Sequence, residues 1–265
     1  MPPIALLSDF GEKDYYVGAM KGSILSINPE AQIVDITHYI PKQNVLSASF
    51  ILTQAAEAFP ENSIFVAEVN TKVEAERRNI LLRTKNKLNF LGPDNGIFTL
   101  VMDRYDTKEV REITNKKIMR KMTSGTFHGR DITGPAAAHL SLGMEPEQVG
   151  PKTENLNKHR IEEPKVSEDE IQGKILHIDD FGNLVTNIKS EQVNNLFGFG
   201  QNLEFKIDGR KHVMPFKENF DNLPKGSTLC YIGDSGYLEI AKNQGNFAGK
   251  TGAQRGDELN IKSPR

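Results

Sequence analysis

Thr126-Phe127-His128-Gly129-Arg130-Asp131 sets an imidazole, a guanidinium and a carboxylate around one glycine. The hexapeptide runs into Ile132-Thr133-Gly134-Pro135-Ala136-Ala137-Ala138-His139-Leu140, which reads as the start of a helix. A polar turn at a helix N-terminus can receive an anionic or polar ligand. The same residues could instead form a satisfied salt-bridge network of His128 and Arg130 with Asp131, and the segment alone leaves both readings open.

Three other segments carry comparable chemistry. Ser8-Asp9-Phe10-Gly11 follows the first strand signal, with Asp14 close behind. A carboxylate at the carboxyl end of such a strand can accept two hydrogen bonds from a ribose diol, or it can cap the next turn. Asp179-Asp180-Phe181-Gly182-Asn183 offers a π face at Phe181, a donor–acceptor amide at Asn183 and a charge at Asp179. That set suits a purine and an ammonium group, and equally a hairpin turn. Glu68, Glu74 and Glu76 surround Asn70 and the pair Arg77-Arg78. Most of these charges belong on a solvated face, but one arginine turned inward could position a small nucleophile. His38, His128 and His139 are too scattered for a zinc site, and no glycine-rich nucleotide fingerprint is present.

These residues need elements to hold them. Strand signals at 4–7, 33–36, 64–69, 80–83 and 88–91 alternate with helical spacing at 17–27 and 45–59, which predicts an α/β domain with a largely parallel sheet over 1–150. Pro93-Asp94-Asn95-Gly96 is a turn. Residues 151–172 are charged and read as a linker. Strand signals at 174–178, 184–188, 203–207, 229–232 and 238–241, separated by turns such as Asp208-Gly209, predict an all-β, barrel-like domain over 173–265.

A net charge of −2 over 265 residues argues against broad phosphate neutralisation, so no nucleic-acid partner is expected. No apolar run is long enough to span a bilayer. Met1–Leu7 lacks a basic leader, and the single cysteine, Cys230, permits no intramolecular disulfide. The expectation is a cytoplasmic protein without membrane contact.

Ser8–Gly11 with Asp14–Gly18, Asp35–His38, Gly92–Gly96, Thr126–Asp131, Phe181–Asn183 with Thr186–Ile188, and Gly236–Ala241 occur in an order that resembles one family. It is that of the S-adenosyl-L-methionine (SAM) hydroxide adenosyltransferases, or SAM hydrolases, relatives of the fluorinase and chlorinase enzymes. The resemblance implies an α/β domain, a β-barrel domain and a homotrimer with sites between subunits. It implies that water attacks ribose C5′ of SAM and yields adenosine and L-methionine. SAM is then the substrate, and no cofactor or metal is expected. Family hydrolases use an Asp-Arg-His triad, which implies catalytic roles for Arg77, His128 and position 70. The resemblance also places Asp9 on the ribose hydroxyls, Phe127 on the nucleoside wall, Asp179 near the methionine amino group, and Phe181 and Asn183 near adenine. Gly129 stands where halogenating relatives carry a serine, which argues against halogenation. One departure stands out. The family segment Val-Asp-Pro-Gly-Val-Gly-Thr-x-Arg-Arg reads here Val69-Asn70-Thr71-Lys72-Val73-Glu74-Ala75-Glu76-Arg77-Arg78. Asn70 accepts a hydrogen bond but holds no charge, so turnover is expected to be slow unless Glu68, Glu74 or Glu76 substitutes. A non-catalytic SAM or adenosine binder is the alternative.

Overall fold

A computed structural model describes residues 1–70, 77–121, 125–207 and 209–264. The chain divides into two compact units, Met1–Arg160 and Ile161–Arg265.

The first unit is built on six strands: β1 (Ile4–Ser8), β2 (Ile33–Thr37), β3 (Ile64–Glu68), β4 (Asn79–Thr84), β5 (Asn89–Pro93) and β6 (Thr107–Glu112). Their order is β2-β1-β3-β5-β4-β6. β1 pairs in parallel with β2 and β3, and β3 with β5, whereas β4 runs antiparallel to β5 and β6. The sheet is therefore largely parallel, as expected. Its helices are α1 (Tyr16–Leu25), α2 (Val45–Ala56), α3 (Thr99–Arg104) and α4 (Gly134–Ser141). Side chains alternate across the strands. Ala5, Leu7, Phe65 and Ala67 join a core with Val45, Ala48 and Leu52 of α2. Ile4, Leu6, Ile64 and Val66 join a second core with Met20 and Ile24 of α1 and Ala137 of α4. Strands covered on both faces read as continuous apolar runs, which is why β1, β3 and β5 were visible in the sequence. Each fully buried aliphatic side chain contributes on the order of 1.5–3 kcal/mol.

The β6 strand, Thr-Lys-Glu-Val-Arg-Glu, escapes pattern reading because it is a charged edge with only Val110 and Arg111 buried. Residues 151–160, expected as linker, lie within the first unit. There the Asn157 N–H donates to Asp94 Oδ1 at 3.0 Å and the His159 N–H to Thr99 Oγ1 at 2.9 Å.

The second unit is antiparallel. β7 (Lys165–Val166) pairs with β8 (Glu170–Ile178), which is followed by β9 (Leu184–Lys189), β10 (Asn202–Ile207), β11 (Arg210–Pro215), β12 (Thr228–Ile232), β13 (Tyr237–Lys242) and β14 (Glu258–Lys262). The order β11-β10-β14-β8-β9-β13-β12 is nearly closed into a barrel by a bridge between Phe216 and Cys230. Leu203, Phe205, Leu238, Ile240, Leu259 and Ile261 fill its interior. Cys230 is buried there as a small hydrophobe, and burial raises its thiol pKa. Of the turns expected between these strands, Asp208 lies outside the described residues.

Candidate active site

β1 and β3 are neighbours whose chain connections leave in opposite directions, to β2 on one side and toward β5 on the other. In open α/β sheets ligands gather at the carboxyl ends of such a strand pair. Asp9 follows β1 there, and Glu68 and Asn70 stand at the end of β3. Asp9 Oδ2 accepts the Gln43 N–H at 2.8 Å, and Lys42 Nζ donates to the Asp9 carbonyl. Asp9 thus ties its loop to the loop before α2, and among the described residues its side chain caps no turn of its own. Ser8 Oγ bonds His38 Nδ1 at 2.7 Å, and His38 Nε2 lies 3.1 Å from Asp35 Oδ1. Ser8 and His38 are both buried, so this Ser-His-Asp set braces the ends of β1 and β2. The role of His38 is therefore structural.

The hexapeptide leads into a π-helical turn, Gly129–Thr133, that passes straight into α4. The turn presents His128 toward β3 and β4. His128 is 1% exposed, and its Nδ1 receives Arg77 Nε at 3.0 Å and Asn79 Nδ2 at 2.8 Å. Burial and the adjacent Arg77 charge lower its pKa to about 4, against weaker opposing effects of the Gly125 carbonyl and Asp131. The ring is therefore neutral at pH 7. Its Nε2 is buried and makes no hydrogen bond of normal length among the described residues.

The salt-bridge reading of the hexapeptide applies to its other half. Arg130 Nε and Nη2 clamp Asp131 Oδ1 and Oδ2, both at 2.7 Å, and the Asp131 carbonyl accepts the Arg120 N–H. Arg130 and Asp131 brace the turn and leave His128 to Arg77. Arg77 and Arg78 part in the same way. Arg77 Nη2 lies 3.7 Å from Glu68 Oε2, whereas Arg78 pairs with Asp94 at the end of β5. The Asn70 amide reaches the Glu68 carboxyl, whose pKa is raised by burial against the pull of Arg77, Thr133 and Asn70. Glu74 and Glu76 lie outside the described residues.

Phe127 is 8% exposed in an aromatic cluster, edge-on to Phe10 at 5.6 Å and to Tyr16 at 5.5 Å. The Arg130 guanidinium caps its ring at 5.1 Å. Asp9, Asn70, Arg77, Phe127 and His128 thus belong to one region of the first unit. Asn79 joins them and was missed, because an amide opening an apolar strand carries no periodic signal.

Asp179, Phe181 and Asn183 share the β8–β9 turn of the second unit. The Asn183 N–H and its Nδ2 donate to Asp179 Oδ1 and Oδ2, each at 2.8 Å, and Gly182 supplies the φ of +81° that the turn needs. The hairpin reading therefore holds for the backbone, while Phe181 projects outward at 78% exposure. Nearby, the Tyr231 hydroxyl donates to Glu239 Oε2 at 2.6 Å. Burial raises the Glu239 pKa, and the charges of Asp179 and Asp234 add to the rise.

Family models for the SAM hydroxide adenosyltransferase N-terminal and C-terminal domains match residues 4–150 and 173–260. The chain is 33% identical over 270 residues to a protein of Methanocaldococcus jannaschii named (R)-S-adenosyl-L-methionine hydrolase, covering 97% of this chain and 95% of that one. It is 26% identical over 293 residues to a fluorinase of Nocardia brasiliensis, with 98% and 97% covered. A solved structure of an uncharacterized conserved protein from Thermotoga maritima matches at a TM-score of 0.93 and 35% identity, covering 97% of this chain and 99% of that one.

Proposed function

The chain belongs to the SAM hydroxide adenosyltransferase family, and we propose that it hydrolyses S-adenosyl-L-methionine to adenosine and L-methionine, with the (R) sulfonium epimer of its relatives' name as the first candidate substrate. The observation that carries this reading is the 3.0 Å bond from Arg77 Nε to His128 Nδ1 at the carboxyl ends of β1 and β3. A guanidinium N–H can only donate, so Nδ1 must accept. The neutral ring then carries its proton on Nε2. His128 is a hydrogen-bond donor that orients the attacking water, and it is not a base. The leaving group needs no general acid. The water oxygen bonds to C5′ as the C5′–S bond breaks, the electron pair passes to sulfur, and methionine departs as a neutral thioether. The extra proton on oxygen passes to solvent. Catalysis here is positioning and electrostatics.

In the same reading Asp9 binds the ribose hydroxyls, Phe127 walls the nucleoside, and Asp179, Phe181 and Asn183 take methionine and adenine. The exposed Phe181 ring is free to stack on a base. A homotrimer whose sites are completed by neighbouring subunits belongs to the proposal, as does a cytoplasmic location. Among the described residues no helix is long and apolar enough to cross a membrane.

The test incubates purified protein with each SAM epimer and follows adenosine and methionine by chromatography. Adenosine should form from at least one epimer and be lost in His128→Ala. Adenosine no higher than in that variant would sink the reading. Asn70, where the family carries aspartate, favours a second reading, a non-catalytic SAM or adenosine binder. Tight calorimetric binding of SAM that stays intact would select it.

A further inference from the structure

Glu68 ends the strand Ile-Phe-Val-Ala-Glu, every residue of which is buried. A carboxylate in such a place is costly unless it is paired. Its surroundings are specific. Oε1 accepts the Thr133 hydroxyl at 2.6 Å, and Oε2 faces Arg77 Nη2 at 3.7 Å. Strand alternation turns Glu68 to the same face as Ile64 and Val66, toward α1 and the π-helical turn. Asn70, two residues on, meets its carboxyl from the same side. The space is also matched to it. A Cβ on Gly129 would lie 3.2 Å from Glu68 Cγ and 3.0 Å from Met20 Sδ. A side chain at 129 and the glutamate at 68 therefore compete for one volume.

Resting on the hydrolase reading, we propose that Glu68 is a positioning residue that supplies, from two residues upstream, the carboxylate the family triad carries at the position of Asn70. It acts through Arg77, holding the guanidinium so that Nε–H donates to His128 Nδ1 and fixes the ring's proton on Nε2. The same side chain fills the volume beside Gly129, where halogenating relatives carry a serine.

Glu68→Gln keeps the shape and removes the charge. In this variant kcat should fall by about 10- to 100-fold with KM changed less than about 3-fold. Adding Asn70→Asp to E68Q should restore most of the loss, whereas Asn70→Asp alone should bring no gain. The ¹⁵N spectrum of the His128 ring reads the same coupling without substrate. The wild type and E68Q/N70D should show the single Nε2–H tautomer, and E68Q a mixture. An unchanged kcat and ring signal in E68Q, or no recovery in the double variant, would overturn the assignment. A wild type with the single tautomer but no adenosine would overturn the hydrolase reading and leave the role of Glu68 standing. Should E68Q fail to fold, Glu68→Asp draws the charge back by one methylene. It should give an intermediate loss on both readouts, and no change there would overturn the role.

Discussion

His128 shows how one side chain's surroundings decide its chemistry. Burial and the Arg77 charge hold its pKa at about 4, below the ordinary 6.5. His177 in β8 is held at about 4 by burial and by Arg255. A histidine with a lowered folded value binds its proton more weakly when folded. Between about 6.5 and about 4 the unfolded chain holds the extra proton, so acidification favours unfolding in that window and neither ring contributes above it. The melting temperature should fall as pH drops through this range, and His128→Gln or His177→Gln should each flatten the fall. Calorimetric scans at several pH values check it, and an identical slope in both variants would refute the assignment. The sequence showed that His128 mattered only through the order of motifs around it. That Arg77 rather than Arg78 faces the ring was likewise implied only by the resemblance and not by the residues' own pattern. Adjacent residues point to opposite sides of an extended segment, and either side could have been the inner one.

At the scale of elements, the hexapeptide and helix of the sequence are joined by something the apolar pattern does not encode. The π-helical turn Gly129–Thr133 adds a residue between His128 and α4, closed by the Gly134 N–H donating to the Gly129 carbonyl. The two glycines, five apart, are its only trace in the sequence. A Cβ on Gly134 would stand 2.5 Å from the Gly129 oxygen, a distance no backbone carbonyl tolerates. Gly134→Ala should cost about 1–3 kcal/mol of stability, the usual range for overpacking a tight site. It should also lower turnover, because the turn aims His128. Urea unfolding read with the hydrolysis assay checks both effects, and an unshifted midpoint would show that the turn relaxes freely. The same logic explains which strands were legible. Those with two covered faces are apolar runs, while β11 buries Met214 alone of its six residues, β14 alternates buried with more exposed residues, and both carry charges that hide them.

For the whole molecule, two domains were legible through a change from alternating helix and strand to strand alone. The sequence was less informative about where one ends, because residues 151–160 are charged yet hydrogen-bonded within the first unit. The second unit has what independent folding requires. The buried core cluster that holds Ile171, Ile175, Leu184, Phe205, Phe216, Leu238 and Ile261 is made, among the described residues, of residues of this unit. Its sheet is closed to one bridge, so few backbone groups are left unpaired at an edge. A chain of about 100 residues can bury enough surface to stand alone. Residues 161–265 expressed by themselves should therefore melt in one cooperative step and give a dispersed amide spectrum. They should form no adenosine, because Arg77 and His128 are absent. A collapsed spectrum without a transition would mean that this core needs the first unit, and adenosine formation would place the chemistry outside the Arg77–His128 pair.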